Sequence, residues 1–407
     1  MEKRTVLISG ASVAGPALAY WLRRYGFRPT VVERAPAPRG GGQAVDIRGT
    51  AREVVDRMGV LDAVRRAHTG VRGMAYVDRN DRVLARMDPE AFGDSGGAVA
   101  DLEILRGDLV RILHEATGDG VEYVFDDSIA SLREGDGGVD VTFERSGSRR
   151  FDLVVGADGL HSNVRRLAFG PEDRYVTDLG HRLAIFPATT RLRLDGWEHL
   201  YAVPRRLAAL YPVGDDGAVR AMFFLAAAPD ADDPRDVPAQ KRLVAGAFAG
   251  EGWEVPRMLE AMWEAQDFYF DRASRVHLDR WSRGRVALLG DAAFGGSVGM
   301  GTSMALVGAY VLAGELAAAR GDHRTAFARY DEMLRDYVAA CQKPLPGGAR
   351  GFLPPTRLEI WLRVQLLRVM SRLPMRGKLT GGMQETAHAV ALRDYRAHEA
   401  VAHRPAS

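Results

Sequence analysis

Short apolar runs that end at glycines alternate with segments of helical periodicity near the start of the chain. Thr5–Ser9 is a mostly apolar run, and it predicts a buried parallel strand leading into a glycine-containing turn, Gly10–Gly15. Apolar side chains then recur at helical spacing from Ala14 to Tyr25, and Thr30–Glu33 predicts a second strand. This order is the βαβ unit that binds dinucleotides, so we expect a nucleotide site at the first turn.

The residues of this turn suit a pyrophosphate. Gly10 permits a tight turn, and Gly15 allows the helix and the strand to pack closely. Free N–H groups at the helix N-terminus would face the phosphates from Ser12, Val13 and Ala14. The middle glycine of the usual fingerprint is replaced by Ser12, so the motif is incomplete.

The second strand ends with the charged residue Glu33, and Arg34 follows it. Glu33 is placed to accept hydrogen bonds from a ribose 2′-hydroxyl, and its charge would repel a 2′-phosphate. Arg34 would either stack on the adenine or remain solvated. The turn also resembles the opening of short-chain dehydrogenases, but no lysine here follows a tyrosine at the Tyr-x-x-x-Lys spacing that those enzymes need.

Two further strand ends carry carboxylates. The buried strand of Phe151–Gly156 runs into Asp158, and a later strand ends at Gly-Asp with Asp291. A glycine-rich loop that ends at Gly301 follows, and then a long apolar helix from Thr302 to about Arg320. A carboxylate beside a glycine loop and a helix N-terminus suits a polyol and a polarisable ring.

In this order and at these separations, the three motifs resemble the class A FAD-dependent monooxygenases, which have the para-hydroxybenzoate hydroxylase fold. The most similar subgroup is that of tetracycline-inactivating and polyketide-tailoring hydroxylases, on the segment Val307–Glu315. The resemblance covers roughly residues 1–340. It implies FAD as cofactor, NADPH or NADH as co-substrate, and an α/β fold with a Rossmann-like FAD-binding domain, an inserted, mainly antiparallel β-sheet substrate domain and a C-terminal helix.

The resemblance also implies roles for individual residues. Asp158 corresponds to a motif near both FAD and the reductant, which we expect to bind transiently near Asp158, Gly159 and Arg165. Asp291 would hold the ribityl chain, with Gly301 and Thr302 in the loop and helix that follow it.

Two more residues are assigned by their surroundings. Arg106 would reach the FAD phosphates or ribityl chain, or it is a surface arginine with a helix-cap partner in Asp108. Asp46 would lie along the ribityl chain and ring edge, or it is a turn carboxylate paired with Arg48.

One loop departs from the family pattern. Phe294 stands where the family commonly has His after Gly-Asp-Ala-Ala, and the loop that follows is shorter and lacks the usual proline. We expect residues 294–301 to form an altered wall on the flavin while FAD binding survives.

Segments between the motifs predict the second domain. A hairpin begins at Gly73, and apolar or alternating runs at 181–188, 200–203, 208–213 and 218–227 predict an antiparallel sheet. One face would carry the substrate-contacting side chains Tyr201, Tyr211, Met222 and Phe224, although core packing explains an aromatic face equally well. His181 and His199 are more simply structural.

These patterns predict three parts of the chain. The FAD-binding domain comprises residues 1–72, 98–180 and 275–340, and the substrate domain comprises residues 73–97 and 181–274. Residues 341–407 form a helical segment that bridges the two. Its basic amphipathic helix, from Arg357 to about Arg376, is expected to pack over the substrate cavity rather than on a membrane surface.

Composition narrows the class of protein. The 407 residues include 55 Lys or Arg and 53 Asp or Glu, which gives a net charge of +2 and no electrostatic footprint for nucleic acid. Cys341 is the one cysteine, so no internal disulfide or metal-binding thiol cluster is expected. A strand predicted from Thr5 leaves no room for a signal peptide. We expect a cytoplasmic monomer or homodimer without stable membrane association.

The resemblance implies a reaction carried by the flavin. NAD(P)H would reduce FAD, and the reduced flavin would add O₂ to give a C4a-hydroperoxide that hydroxylates an aromatic or polyketide-like, polycyclic phenolic substrate. No side chain is assigned a catalytic role, because the cofactor carries the chemistry. The alternatives are a reductase or dehydrogenase of the same fold, and a flavin-binding protein without chemistry.

Overall fold

The structure is a computed structural model that describes residues 4–38, 40–87, 102–214, 217–228, 236–297, 299–343, 353–370 and 386–399. The strands are β1 Thr5–Ser9, β2 Arg28–Glu33, β3 Ala44–Asp46, β4 Gly73–Val77, β5 Val83–Met87, β6 Glu103–Leu105, β7 Glu122–Phe125, β8 Ile129–Gly135, β9 Gly138–Phe143, β10 Ser148–Phe151, β11 Leu153–Gly156, β12 Val176–Ala188, β13 Trp197–Val203, β14 Arg206–Val213, β15 Ala218–Ala226, β16 Tyr269–Val276, β17 Ser282–Arg283 and β18 Val286–Leu288. The α-helices are α1 Ala14–Arg24, α2 Thr50–Arg57, α3 Leu61–Arg66, α4 Arg106–Thr117, α5 Asn163–Ala168, α6 Val237–Ala247, α7 Val255–Glu264, α8 Asp291–Phe294, α9 Gly301–Ala318, α10 His323–Cys341 and α11 Arg357–Met370.

The first sheet brings the three motifs together. Its strand order is β17, β18, β11, β1, β2, β7, and every pairing is parallel except that of β17 with β18. Because parallel strands end at the same edge of a sheet, Gly10, Asp158 and Asp291, which follow strands, lie at the same edge as Glu33, which ends β2. In open α/β sheets this edge is where ligands bind.

The long apolar helix predicted after the third motif is α9. It is apolar on all sides because α1, α2 and α10 surround it. Among the described helices it alone is long and apolar enough to cross a bilayer, yet 78% of that span is buried inside the protein. It is therefore a central element of the core.

The second sheet has seven strands in the order β16, β12, β15, β14, β13, β4, β5, and its pairings are antiparallel apart from that of β13 with β4. The prediction of a mainly antiparallel sheet is confirmed. One face of this sheet packs under α6 and α7. The other face meets β3, β6 and α11.

The two sheets draw their strands from interleaved parts of the chain. The first sheet uses strands between residues 5 and 156 and between 282 and 288, whereas the second uses residues 73–87 and 176–276. Residues 88–97 of the predicted substrate domain lie outside the described residues. The exact domain boundaries remain a prediction.

The C-terminal segment 386–399 returns to the first sheet's helices. Glu315 is buried in α9, and its carboxylate accepts hydrogen bonds from the hydroxyl of Tyr395 (2.6 Å) and the guanidinium of Arg393 (2.9 Å). Arg24 of α1 pairs with Glu399 at 2.9 Å. Arg329 of α10 lies 3.7 Å from the other carboxylate oxygen of Glu315, so this segment completes the set of partners that a buried carboxylate needs.

We predict that Gly314→Ala destabilises the protein. Alanine favours a helix over glycine by about 1 kcal/mol, but a Cβ at this position of α9 would lie 2.2 Å from the ring of Tyr395. Overpacking of this kind costs about 1–3 kcal/mol. Denaturant unfolding at saturating FAD would measure the change.

Gly246→Ala in α6 is the matched control. No atom of the described residues lies within 4 Å of a Cβ placed there, so this substitution should be neutral or stabilising. Equal stabilisation by both substitutions would contradict the packing of Tyr395 against α9.

Candidate functional site

The first turn approaches its neighbours so closely that it has no room for side chains. A Cβ atom on Gly10 would lie 2.4 Å from the carbonyl oxygen of Ala157, and one on Gly15 would lie 1.9 Å from that of Gly10. Gly10 also has a φ of 105°, in the left-handed region. Val13 at the N-cap of α1 provides no side-chain hydrogen bond, and Ser12 is exposed. The N-terminus of α1 is therefore open to an anionic ligand.

Glu33 is held by backbone amides at the end of β2. One carboxylate oxygen accepts from the N–H of Ala11 and the other from that of Ala35, each at 2.8 Å. Each oxygen keeps lone-pair capacity that could accept from ribose hydroxyls. Arg34 beside it is exposed, so its position fits either stacking on adenine or solvation.

Asp158 has a structural set of partners. Its carboxylate accepts hydrogen bonds from the hydroxyl of Ser162, the N–H of Val164 (3.0 Å) and the hydroxyl of Ser9 (3.3 Å). Burial raises the pKa of Asp158, and these three hydrogen bonds oppose that rise. The carboxylate thus ties the end of β1 to the start of α5.

Two side chains expected near the flavin or the reductant point into the protein. Arg165 is fully buried, and its guanidinium donates to the backbone oxygens of Ala292 and Leu160, so its side chain supports this turn from inside. Binding of the reductant near Asp158, Gly159 and Arg165 stays a prediction. Phe294 is only 2% exposed and packs edge-on against Trp281 at 4.9 Å. Its side chain belongs to the core and forms no wall on the flavin.

Asp291 differs from Asp158 in having a free carboxylate. It starts α8 in an accessible position, and no hydrogen bond reaches its side chain from the described residues. Its position within the cleft desolvates the carboxylate, and this desolvation, followed by repulsion from Asp271, raises the pKa of Asp291. A Cβ on Gly301 would lie 3.7 Å from its Oδ1, and Met300 at the N-cap of α9 makes no side-chain cap. This is the second open helix N-terminus at the same sheet edge.

Asp46 lies at the junction between β3 and α9. Its carboxylate pairs with Arg48 at 2.8 Å, which is one of the two readings of the sequence. Burial raises the pKa of Asp46, while Arg48 opposes the rise. Ser303 of α9 accepts from the N–H of Arg48 at 2.9 Å and donates to the backbone oxygen of Asp46 at 3.2 Å. A Cβ on Gly299 would lie 3.3 Å from the Asp46 carboxylate, so the pair also borders the loop before α9.

Arg106 extends along the cleft instead of binding a cap residue. A Cβ on Gly42 would lie 3.0 Å from its Nε, and its Cζ lies 5.8 Å from the ring centre of Tyr269. Asp108, its alternative partner, instead lies 3.6 Å from Arg111. The guanidinium is thus positioned between the two sheets.

These features fit a dinucleotide that carries a polyol. The two open helix N-termini can receive phosphate and a polarisable ring, and Glu33 and Asp291 can accept from hydroxyl groups. All of them lie at the carboxyl edge of the parallel strands. The arrangement matches the chemistry of FAD.

A pair of carboxylic acids that the sequence analysis missed lies where the sheets meet. Protein encloses Glu103 of β6 and Glu198 of β13 on most sides. Burial, and then repulsion from neighbouring carboxylates, raises the pKa of Glu103 to about 7 and that of Glu198 to about 8. Glu103 accepts from the hydroxyl of Thr69 at 2.6 Å. Glu198 lies beside Tyr211, because the next pair along these strands is His199 with Leu210.

Three of the four side chains predicted to share one face of the second sheet do so, and contact of that face with substrate stays a prediction. Strand register places Tyr211, Met222 and Phe224 on the face towards β3 and α11. Tyr201 pairs with Ala208 and lies on the opposite face, against Trp253 under α6 and α7. Its inclusion in the substrate face was wrong, because alternation within one strand does not fix its phase relative to another.

Both histidines considered in the sequence have structural neighbours. His181 stacks on Phe224 with ring centres 5.6 Å apart, and burial lowers its pKa. His199 contacts Asp81 at 3.2 Å on the face away from the cleft.

Comparison with known proteins agrees with this geometry. The FAD binding domain family matches residues 3–341. A flavin-dependent monooxygenase of an unknown prokaryotic organism is 40% identical over 83% of this chain and 88% of its own. An uncharacterized protein of Mycobacterium tuberculosis is 47% identical over 85% of this chain and 95% of its own.

Solved structures show the same fold. The tetracycline destructase Tet(51) is 35% identical, with a TM-score of 0.82 over 97% of this chain and 100% of that chain. Klebsiella pneumoniae HpxO complexed with FAD and uric acid is 20% identical, with a TM-score of 0.73 over 95% of this chain and 97% of that chain, a likeness of fold.

Fold and site together define an FAD-dependent monooxygenase. The chain belongs to the FAD binding domain family. The predicted fold class and the resemblance to the class A enzymes are both confirmed.

We predict that Asp291→Ala weakens FAD binding. Loss of a charge-assisted hydrogen bond costs about 1.5–3 kcal/mol, which corresponds to a roughly 10- to 100-fold rise in the Kd for FAD. Fluorescence titration of the apoprotein with FAD would measure it. Asp279→Ala is the control, because that side chain is fully exposed, and an equal change in both variants would contradict a ligand role for Asp291.

We predict that Glu198 makes stability fall with rising pH. Its pKa of about 8 in the folded protein lies above its ordinary value of 4.5, so its stabilising contribution is complete below pH 4.5 and is lost as the pH rises through about 8. Glu198→Gln should reduce this loss by more than about 1 kcal/mol. Denaturant unfolding at saturating FAD across this pH range would test it.

The exposed Glu260 provides the control variant, Glu260→Gln. An unchanged pH dependence in Glu198→Gln would show that this carboxyl group titrates normally.

Proposed function

We propose that the protein is an NAD(P)H-consuming hydroxylase that acts on an aromatic or polyketide-like, polycyclic phenol. The observation that carries this proposal is the row of Tyr211, Met222 and Phe224, which extends from strands β3 and β6 at one end to α11 at the other. Met222 and Phe224 remain only half-buried in the structure, which suits contact with a flat apolar ligand. The names of similar proteins, tetracycline destructases among them, support the same substrate class.

FAD, when bound, supplies the redox and oxygen chemistry by the route expected from the resemblance. The chain's own groups bind and orient it. We assign the contacts to Gly10, Ser12, Val13, Ala14, Gly15, Glu33, Arg34, Asp46, Arg106, Asp291, Gly301 and Thr302. Asp158 acts behind them by fixing the turn, and the reductant, NADPH or NADH, would approach near that turn.

The chain also offers a group that can hold a proton beside the substrate. With a pKa of about 8, Glu198 is largely protonated near neutral pH, and it lies beside Tyr211 in the substrate face. A neutral carboxyl group can donate a hydrogen bond to a substrate oxygen. The apolar cluster of Met222, Phe224 and Leu367 would exclude water from the other side.

The visible spectrum of the purified protein tests this proposal. Under oxygen-free conditions NADPH or NADH is added with and without a polycyclic phenol, and faster bleaching of the flavin with the phenol is expected. Oxygen consumption should then match hydroxylated product. Bleaching without oxygen incorporation would favour a reductase or dehydrogenase instead, and a protein that never takes up FAD would refute the assignment.

We predict that Met222→Ala impairs substrate use without loss of FAD. Removal of its side chain opens the substrate face, so the KM for the phenol should rise about tenfold, as expected for about 1.4 kcal/mol of lost contact. Steady-state kinetics would measure this. Tyr201→Phe is the control on the opposite face, and an equal effect there would contradict the assigned face.

A further inference from the structure

Helix α11 has apolar side chains on two opposite faces. Val364 is buried and Leu367 is partly buried, and both pack into the cluster that contains Met222 and Phe224. This face packs against the second sheet, as expected of a helix beside the substrate domain, and its position over a substrate cavity stays a prediction. The opposite face is directed away from the protein.

The outer face of α11 forms an exposed apolar stripe. Its five side chains are between 51% and 64% exposed: Leu358, Trp361, Leu362, Leu366 and Val369. Their spacing of three, one, four and three residues places them on one side of the helix. Nine large apolar side chains are comparably exposed among the described residues, and five of them lie on this stripe. Such concentration marks an interaction surface.

The charges of the helix favour an anionic partner. The helix carries Arg357, Arg363 and Arg368 against one carboxylate, Glu359, a net charge of three minus one, or +2. Arg357 and Arg368 are four residues before and seven residues after Trp361, so all three share one edge of the stripe. Tryptophan and arginine beside leucines are typical of helices that lie in a lipid interface.

We propose that this stripe docks the enzyme on an anionic lipid surface, with α11 lying in the plane of the headgroups. A second copy of the chain is the main competing occupant. The five half-exposed side chains of the stripe could bury roughly 100 Å² of surface each, or about 500 Å² in all. A standard protein–protein interface buries ~800 Å² per partner, so the stripe alone is too small for one. A bilayer requires no complementary shape, so the stripe fits it better.

The docking does not require the proposed reaction. Its direct test is co-sedimentation of the FAD-loaded full chain with phosphatidylcholine vesicles, with and without phosphatidylglycerol. We expect binding to the anionic vesicles, weakened by high salt, and at least about tenfold weaker binding for Leu362→Glu/Leu366→Glu. Hydroxylation of a water-soluble phenol should not change in this variant, which separates failure of docking from failure of the proposed function.

The matched control is Val237→Glu/Trp263→Glu, which replaces two exposed apolar side chains on α6 and α7. It should bind vesicles like the unmodified protein. Arg357→Glu, at the exposed start of α11, gives a variant with little effect on packing and should also weaken anionic binding. Retained FAD absorbance shows that each variant is folded.

Three results would overturn the proposal. The first is that the unmodified protein does not bind vesicles, and the second is that it binds neutral and anionic vesicles equally. The third is that Leu362→Glu/Leu366→Glu and Arg357→Glu both bind vesicles like the unmodified protein. Sedimentation velocity adds a further outcome: a dimer that only Leu362→Glu/Leu366→Glu dissociates, without any effect on vesicle binding, would assign the stripe to a second copy instead.

Discussion

The close approach of the first turn to the end of β11 is the contact on which the FAD-binding unit depends. Gly10 and Gly15 bring backbone atoms to distances that a Cβ could not tolerate. The same approach places Asp158 where Ser9 and Val164 can donate to it. One carboxylate therefore fixes two strand ends and the start of α5, and the N-terminus of α1 is left open at a rigid position.

The second sheet adds a cleft whose two ends differ in chemistry. The end near β3 and β6 is polar. Burial raises the pKa of three carboxyl groups there, those of Asp46, Glu103 and Glu198. At the end near α11, Met222 and Phe224 belong to an apolar cluster. A molecule with one oxygenated end and one hydrocarbon end would have a preferred direction in such a cleft, because each end is poorly solvated by the opposite environment.

Much of the fold could be predicted from the sequence because it depends on interactions between residues that are close together in the chain. Each βα turn has its own strand, glycine and helix, so β1, α1, β2 and α9 follow from short segments. The partners of side chains could not be predicted in this way. Asp158 and Asp291 stand in similar motifs, yet Ser162 and Ser9 bond only the first. Ser162 lies only four residues after Asp158, but Ser9 comes from another strand, and that long-range bond has no signal in the local sequence of the motif.

Contacts between distant segments account for the other differences. Glu103 and Glu198 are 95 positions apart, so neither carries a signal of the other. Tyr201 was misplaced because the two-residue turn between β13 and β14, Pro204–Arg205, sets the register of the pair.

The return of residues 386–399 to α1 and α9 has a consequence for the order in which the protein can fold. The chain is synthesised from its N-terminus, and domains generally fold as units during that process. Here β1 and α1 are made long before Tyr395 and Arg393, whose side chains donate to Glu315. The FAD-binding unit therefore cannot reach its final state on the ribosome until residues 386–399 have emerged, and until then Arg329 of α10, at 3.7 Å, is the partner beside the buried carboxylate of Glu315.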